Sequence, residues 1–201
     1  MSRVPGVTLE HLLKNSKDGT IENQEAIIDQ LRHFVAQLRS LKSPHGPLIC
    51  SVFGGRVHDY RVCHFPSGPY NDEQHMNLQL RCAHPVDRLP DFVTSAHAIS
   101  HPIVFTHGEI DVRNILVQGN RVTLMDWETA GWFPAHWEYC KAIYASCSGW
   151  AHIWNEWIPK IIPPFETESK ADVYLWSEAG IPSRDWTTPE NIALAATRPI
   201  V

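Results

Sequence analysis

The stretch from Ile103 to Asp126 restricts the fold more than any other part of the chain. Ile103-Val104-Phe105-Thr106 is a short β-branched and aromatic run that suits a buried strand. It is followed by His107-Gly108-Glu109-Ile110-Asp111-Val112-Arg113-Asn114, a polar loop wedged between apolar segments, where buried charge is costly unless it has a task. Ile115-Leu116-Val117 and Val122-Thr123-Leu124-Met125 then flank Gln118-Gly119-Asn120-Arg121, a pattern that predicts a hairpin turning on Gly119-Asn120. With a two-residue turn, Gln118 faces Arg121, Leu116 faces Thr123 and Asn114 faces Met125, so Asp126 lies one step beyond Asn114's partner. Cross-strand neighbours at such positions are about 5 to 8 Å apart, close enough for Asn114 and Asp126 to reach one ion.

These residue types match the needs of phosphoryl transfer, which requires a carboxylate beside an attacking hydroxyl and oxygen ligands that hold Mg²⁺ against nucleotide phosphates. Glu109 is placed to accept the hydroxyl proton, Asn114 to supply an amide oxygen, and Asp126 to supply a carboxylate for the metal. Asp111 is a second carboxylate in the loop, either a substitute base or a partner for Arg113. His107 reads as structural, bonding backbone near the metal acid.

Elsewhere, Ile27, Ile28, Leu31, Phe34, Val35, Leu38 and Leu41 form a helical stripe that starts near Thr20 or Ile21 and stops before Ser43-Pro44. Residues 44–70 are rich in Gly and Pro, lack a sustained period and read as a long surface excursion. Helical segments are expected between Asn71 and His84 and from Asp91 to Ser100. Trp132, Trp137, Trp150, Trp154, Trp157 and Trp176 are expected in helices, among them His136 to Ser146 and a segment around Ala151 to Lys160. A last short helix is expected with Thr188 as its cap and Pro189 at its first position.

Composition removes several classes of function. The 201 residues, 43% of them apolar, are enough for one domain or lobe with a real core. A net charge of −5 argues against a nucleic-acid partner. Apolar runs such as Ile192 to Ala196 are far short of the roughly 18 residues of a membrane span, and Met1 to Leu13 lacks a secretion signal, so a cytoplasmic location is expected. Five cysteines without a close CxxC pair fit reduced thiols, and the spacing of Cys50, His58, Cys63, His64, Cys82 and His84 matches none of the tight pairs that bind zinc.

Thr106-His107-Gly108-Glu109 through Asn114-Ile115-Leu116-Val117, then Met125-Asp126-Trp127-Glu128, resembles the catalytic loop and metal hairpin of aminoglycoside phosphotransferase and choline kinase-like enzymes. Ala130-Gly131-Trp132-Phe133-Pro134, Trp137-Glu138-Tyr139, Val4-Pro5-Gly6 with Thr8-Leu9, the Gln30 to Leu41 helix and Phe65-Pro66-Ser67-Gly68-Pro69 extend the likeness, especially to the fungal branch, over most of residues 3–160. The resemblance implies an α+β, mostly helical fold: the C-terminal lobe of a protein-kinase-like enzyme, with a short β-hairpin carrying the metal site and no N-terminal lobe. Residues 1–201 would form a single such lobe, with a hinge-like start at 1–10, the catalytic loop and hairpin at 103–128, and a tail at 180–201. Mg²⁺ and ATP are the implied cofactors and a small-molecule hydroxyl is the implied acceptor; Glu128 reads either as an acid of the substrate pocket, with Trp127 beside it, or as a salt-bridge partner near the Trp-rich helices.

Two departures bear on activity. The family's motif has Asp where Glu109 stands, and the extra methylene moves the carboxylate by roughly 1 Å, enough to cost on the order of 10²-fold in rate. The chain contains no Gly-x-Gly-x-x-Gly and no Gly-Lys-Ser/Thr to cover the nucleotide phosphates. The expectation is therefore an ATP- and Mg²⁺-dependent phosphotransferase fold whose own activity is impaired. The alternatives are a non-catalytic pseudoenzyme or binding module and an incomplete gene model. A lobe deprived of its partner would also expose an apolar face that favours self-association.

Overall fold

A computed structural model describes residues 4–145, 151–178 and 185–196. The architecture is α+β, with two small antiparallel sheets set among helices. β1 (Val7–Thr8) lies in the region expected as a hinge-like start and pairs with β4 (Ile115–Gln118), which pairs in turn with β5 (Arg121–Leu124). The β4–β5 register is the expected one: Gln118 faces Arg121 and Leu116 faces Thr123. The second sheet places β6 (Gly131–Pro134) between β2 (Cys50–Ser51) and β3 (Ile103–Thr106).

Trp132 is therefore in a central strand, not in a helix. Its run is buried throughout and flanked by backbone on both sides, with Trp132 opposite Cys50 and Phe105. Gly131 makes this approach possible, because a Cβ there would lie 2.5 Å from the Cys50 carbonyl oxygen.

The helices follow from their stripes and caps. α1 (Leu9–Asn15) is capped by Thr8, whose hydroxyl accepts the His11 N–H at 3.1 Å. α2 (Gln24–Ser40) buries Ile27, Ile28, Leu31 and Val35. It begins later than Thr20 because Asn23 at its cap adopts a left-handed φ of 62°. α3 (Glu73–Leu80) starts at Asp72, whose carboxylate accepts the His75 N–H at 2.8 Å, and α4 (Asp91–Ala98) follows. α5 (Trp137–Ala145), α6 (Ala151–Ile161), α7 (Glu166–Glu178) and α8 (Pro189–Ala195) complete the chain. α8 has the expected Thr188 cap, with the hydroxyl accepting the Asn191 N–H at 3.3 Å. Ser146, Cys147, Trp150 and much of the tail lie outside the described residues.

Residues 44–70 are not a surface excursion. Bridges at Ile49–Tyr70 and Val57–Ser67 fold the segment back on itself, and it buries Ile49, Val57, Val62 and Tyr70 together with the charged Asp59 and Arg61. Its core residues come from turns and single bridges, which leave no period to read. They join Met76, Leu80, Val93, Phe133, Trp137 and Leu175 in one apolar core. A second core packs α1 and α2 against the β4–β5 hairpin and α6. α5 serves both, giving Trp137 to the first and Tyr139 and Ala142 to the second.

Candidate active site

The loop after β3 is held from beneath by α5. The Glu138 carboxylate accepts the His107 N–H at 2.6 Å and the Gly108 N–H at 3.1 and 3.2 Å. Gly108 has φ +84°, and a Cβ there would meet the Thr129 hydroxyl at 2.7 Å, so the loop cannot follow this path with a side chain at that position. His107 is fully buried. Its Nδ1 accepts the Glu109 N–H at 3.2 Å, which leaves Nε2–H to donate to the Met125 carbonyl at 3.0 Å. Burial lowers its pKa against the opposing pull of Glu138, so a neutral ring ties the loop to the hairpin, in the structural role expected of it.

Glu109 follows, with its side chain 34% exposed. Its Oε2 accepts from Asn114 Nδ2 at 3.4 Å, Asn114 Nδ2 also donates to the Glu109 carbonyl at 3.2 Å, and Lys141 Nζ lies 3.8 Å from Oε1. Asp111 is buried, and its Oδ1 accepts the Arg113 backbone N–H at 2.9 Å and side-chain Nε–H at 2.6 Å. The loop residues line a pocket of about 170 Å³ together with Asp59, Tyr60, Arg61, Lys141 and Tyr144. The structure thus brings Glu109, Asp111 and Asn114 to one concavity.

Asp126 lies just past the hairpin, where the Met125 N–H donates to the Asn114 carbonyl at 2.9 Å, as the register requires. It is exposed, with φ 62°, and its charge acts on the His107 ring together with that of Glu109. The Asn114 amide nitrogen is turned to Glu109, while its amide oxygen meets no donor among the described residues, and neither does the Asp126 carboxylate. An amide oxygen and a carboxylate oxygen form a hard donor set that fits Mg²⁺, a cation that keeps several waters. Glu128 is exposed as well. The Trp127 and His107 rings pack edge to face with centroids 4.4 Å apart, and Trp127 also lines a separate groove of about 260 Å³ with Phe34, Leu38 and Leu124. Asp126, Trp127 and Glu128 are thus outside the lining of the Glu109 pocket.

A model of the phosphotransferase enzyme family matches residues 1–160. The chain belongs to this phosphotransferase family. No curated protein and no solved structure matches it. The matched span contains the loop, the hairpin, β6 and the whole of α5.

Four residues at or beneath this candidate site make contacts that sequence reasoning did not assign: Glu138, Lys141, Asp59 and Arg61. Lys141 is one turn beyond Glu138 on α5 and reaches Asp59 Oδ2 at 3.1 Å as well as Glu109. Burial would raise the pKa of Asp59, but Arg61 and Lys141 together outweigh it and hold the carboxyl at about 2. Arg61, itself buried, bonds Asp59 at 3.3 Å, lies 3.8 Å from Asp172 and stacks on Trp137 at 4.1 Å and Trp176 at 4.7 Å. Trp137 Nε1–H also donates to Asp59, at 3.1 Å. The one available signal was the pair of charges at Asp59 and Arg61 within a Gly- and Pro-rich stretch. No helix among the described residues is long and apolar enough to cross a membrane.

Proposed function

We propose that this phosphotransferase carries the acceptor side of a kinase-like active site, a C-terminal lobe that directs phosphate from Mg·ATP to a hydroxyl of a small molecule bound beside Glu109. The observation that carries the reading is the position of the Glu109 carboxylate on the wall of the 170 Å³ pocket, steered by Asn114 and Lys141. The acceptor O–H donates to Glu109, which takes the proton as the oxygen forms its bond to the γ-phosphorus of ATP and the bond from that phosphorus to the bridging oxygen breaks, releasing ADP. Asn114 and Asp126 would hold the Mg²⁺, whose chemistry is to neutralise charge on the transferring phosphate. Arg113 and Lys141 add positive charge to the same pocket, and Tyr60 and Tyr144 give it flat walls. Asp111, engaged by Arg113, orders the loop and leaves Glu109 as the base.

A second reading, a module that binds small molecules without turnover, is favoured by one residue: Glu109 has a side chain longer by a methylene than the Asp of the family's motif. Phosphoryl transfer from labelled ATP to a panel of hydroxylated small molecules separates the two. On the first reading, Glu109→Gln lowers turnover by about 10²- to 10⁴-fold while small-molecule binding persists, and Glu109→Asp restores or raises it. Turnover that is unchanged in Glu109→Gln would remove Glu109 as the base. Binding without transfer in both the parent chain and Glu109→Asp would establish the second reading.

A further inference from the structure

A second polar centre is buried away from the catalytic loop. Glu73 in the first turn of α3, His101 ahead of β3, His136 ahead of α5 and Glu168 in the first turn of α7 converge there. His101 Nδ1 lies 2.7 Å from Glu73 Oε1, and His136 Nδ1 lies 3.4 Å from the same oxygen. One ligand atom from each of Glu73, His101 and His136 falls within 4.8 Å of the others.

Two features favour a cation there. Glu73 and Glu168 are 6% and 8% exposed, and among the described residues their ion-pair partners are histidines only, with no Lys or Arg. Two buried carboxylates without a fixed positive charge are costly. His136 is 4% exposed, yet its Nδ1 makes no hydrogen bond. Its distance to Glu73 Oε1 matches the edge of a zinc tetrahedron, about 3.3 Å for bonds of 2.0 to 2.1 Å, whereas His101 Nδ1 is at hydrogen-bond distance from the same oxygen and has to move out by about 0.6 Å to share the ion. A cavity of about 10 Å³ borders Glu73, His136 and Glu168, room for one water as a fourth ligand. His101 Nε2 meets Glu168 Oε1 at 3.2 Å, so with Nδ1 facing the ion the other nitrogen donates to a carboxylate, the usual support of a ligating histidine.

We propose that Glu73, His101 and His136 bind one zinc ion, with Glu168 orienting His101. The neighbouring set of His136, Cys140 and Asp172 is also compact, but its carboxylate, Asp172, already has the Arg61 guanidinium 3.8 Å away as its partner. The ion would tie α3 and α7 to the segments that lead into β3 and α5, and its site stands whether or not the chain transfers phosphate.

The test uses the full chain, stripped with a chelator, reloaded with zinc and dialysed. Elemental analysis is expected to find one zinc per chain, and free zinc at 100 times its Kd should raise the Tm by roughly 5 to 10 °C. Cobalt in place of zinc should give the intense visible bands of a four-coordinate site. Glu168→Gln is expected to weaken zinc binding by about 10- to 100-fold. His136→Gln should abolish it, and Asp126→Asn should leave it intact. A parent chain that retains no zinc and melts at the same temperature with and without it overturns the proposal, as does zinc retained by a folded His136→Gln chain.

Discussion

The pocket at Glu109 and the cluster around Glu73 use the same chemical groups under opposite conditions. At the pocket and hairpin, Glu109 is one-third exposed and Asp126 and Glu128 are open to solvent, so their charges are hydrated and free to exchange partners as ligands come and go. Glu73, Glu168 and Asp172 are buried instead, as are Asp59 and Arg61 where they line the pocket. There each charge stands only because neighbours answer it, and burial with imperfect pairing pushes the Asp172 carboxyl up to about 6 despite Arg61. A charge that must act is kept at the boundary, and a charge that must hold the fold is kept inside. Lys141 spans the two, with its ammonium shared between buried Asp59 and half-buried Glu109.

The contrast is open to attack from its strong side first. Arg61→Met leaves Asp59 and Asp172 without their shared cation, and the chain should lose about 3 to 5 kcal/mol in urea unfolding. A loss under about 1 kcal/mol would mean that the interior is wetter than its packing implies.

His97 tests the same interior through pH. Burial, then the charge of Arg81, pushes its pKa down from 6.5 to about 4, and neither ring nitrogen has a hydrogen-bond partner. The folded chain keeps this ring neutral while the unfolded chain protonates it, so the stabilisation is complete above pH 6.5 and is lost as pH falls towards 4. The loss amounts to about 3 kcal/mol. His97→Leu should flatten this part of the stability profile, and an unaltered slope would assign the acid sensitivity to other groups.

The smallest effect belongs to the open side. Asp126→Asn should change stability by no more than about 0.5 kcal/mol, because the residue is exposed and Asn tolerates its left-handed backbone. A larger loss would show that the hairpin acid supports the fold after all.

The two centres also differ in how far they can be read from the chain. The loop and hairpin are legible because local rules suffice: β-branched runs, a Gly-Asn turn and one register place Asn114 beside Asp126's neighbour. The interior cluster depends on pairs separated by 28 and 67 positions, and no periodicity links Glu73 to His101 or His101 to Glu168. Arg61 was hidden in the same way, inside a segment whose glycines and prolines speak of turns and not of what those turns enclose. Trp132 was misjudged because apolar aromatic residues fit a helix and a buried central strand equally well, and only the flanking backbone decides.

The first turn and a half of α5 presents Trp137, Glu138 and Lys141 to three different tasks: a ring for Arg61 to rest on, a carboxylate beneath His107 and Gly108, and an ammonium at the pocket wall. Their angular spacing around the helix is what lets them coexist. One residue inserted between Glu138 and Lys141 would swing the lysine about 100° around the axis and withdraw it from both of its acids in a single step. The spacing of this stretch is therefore less negotiable than the identity of most residues in it.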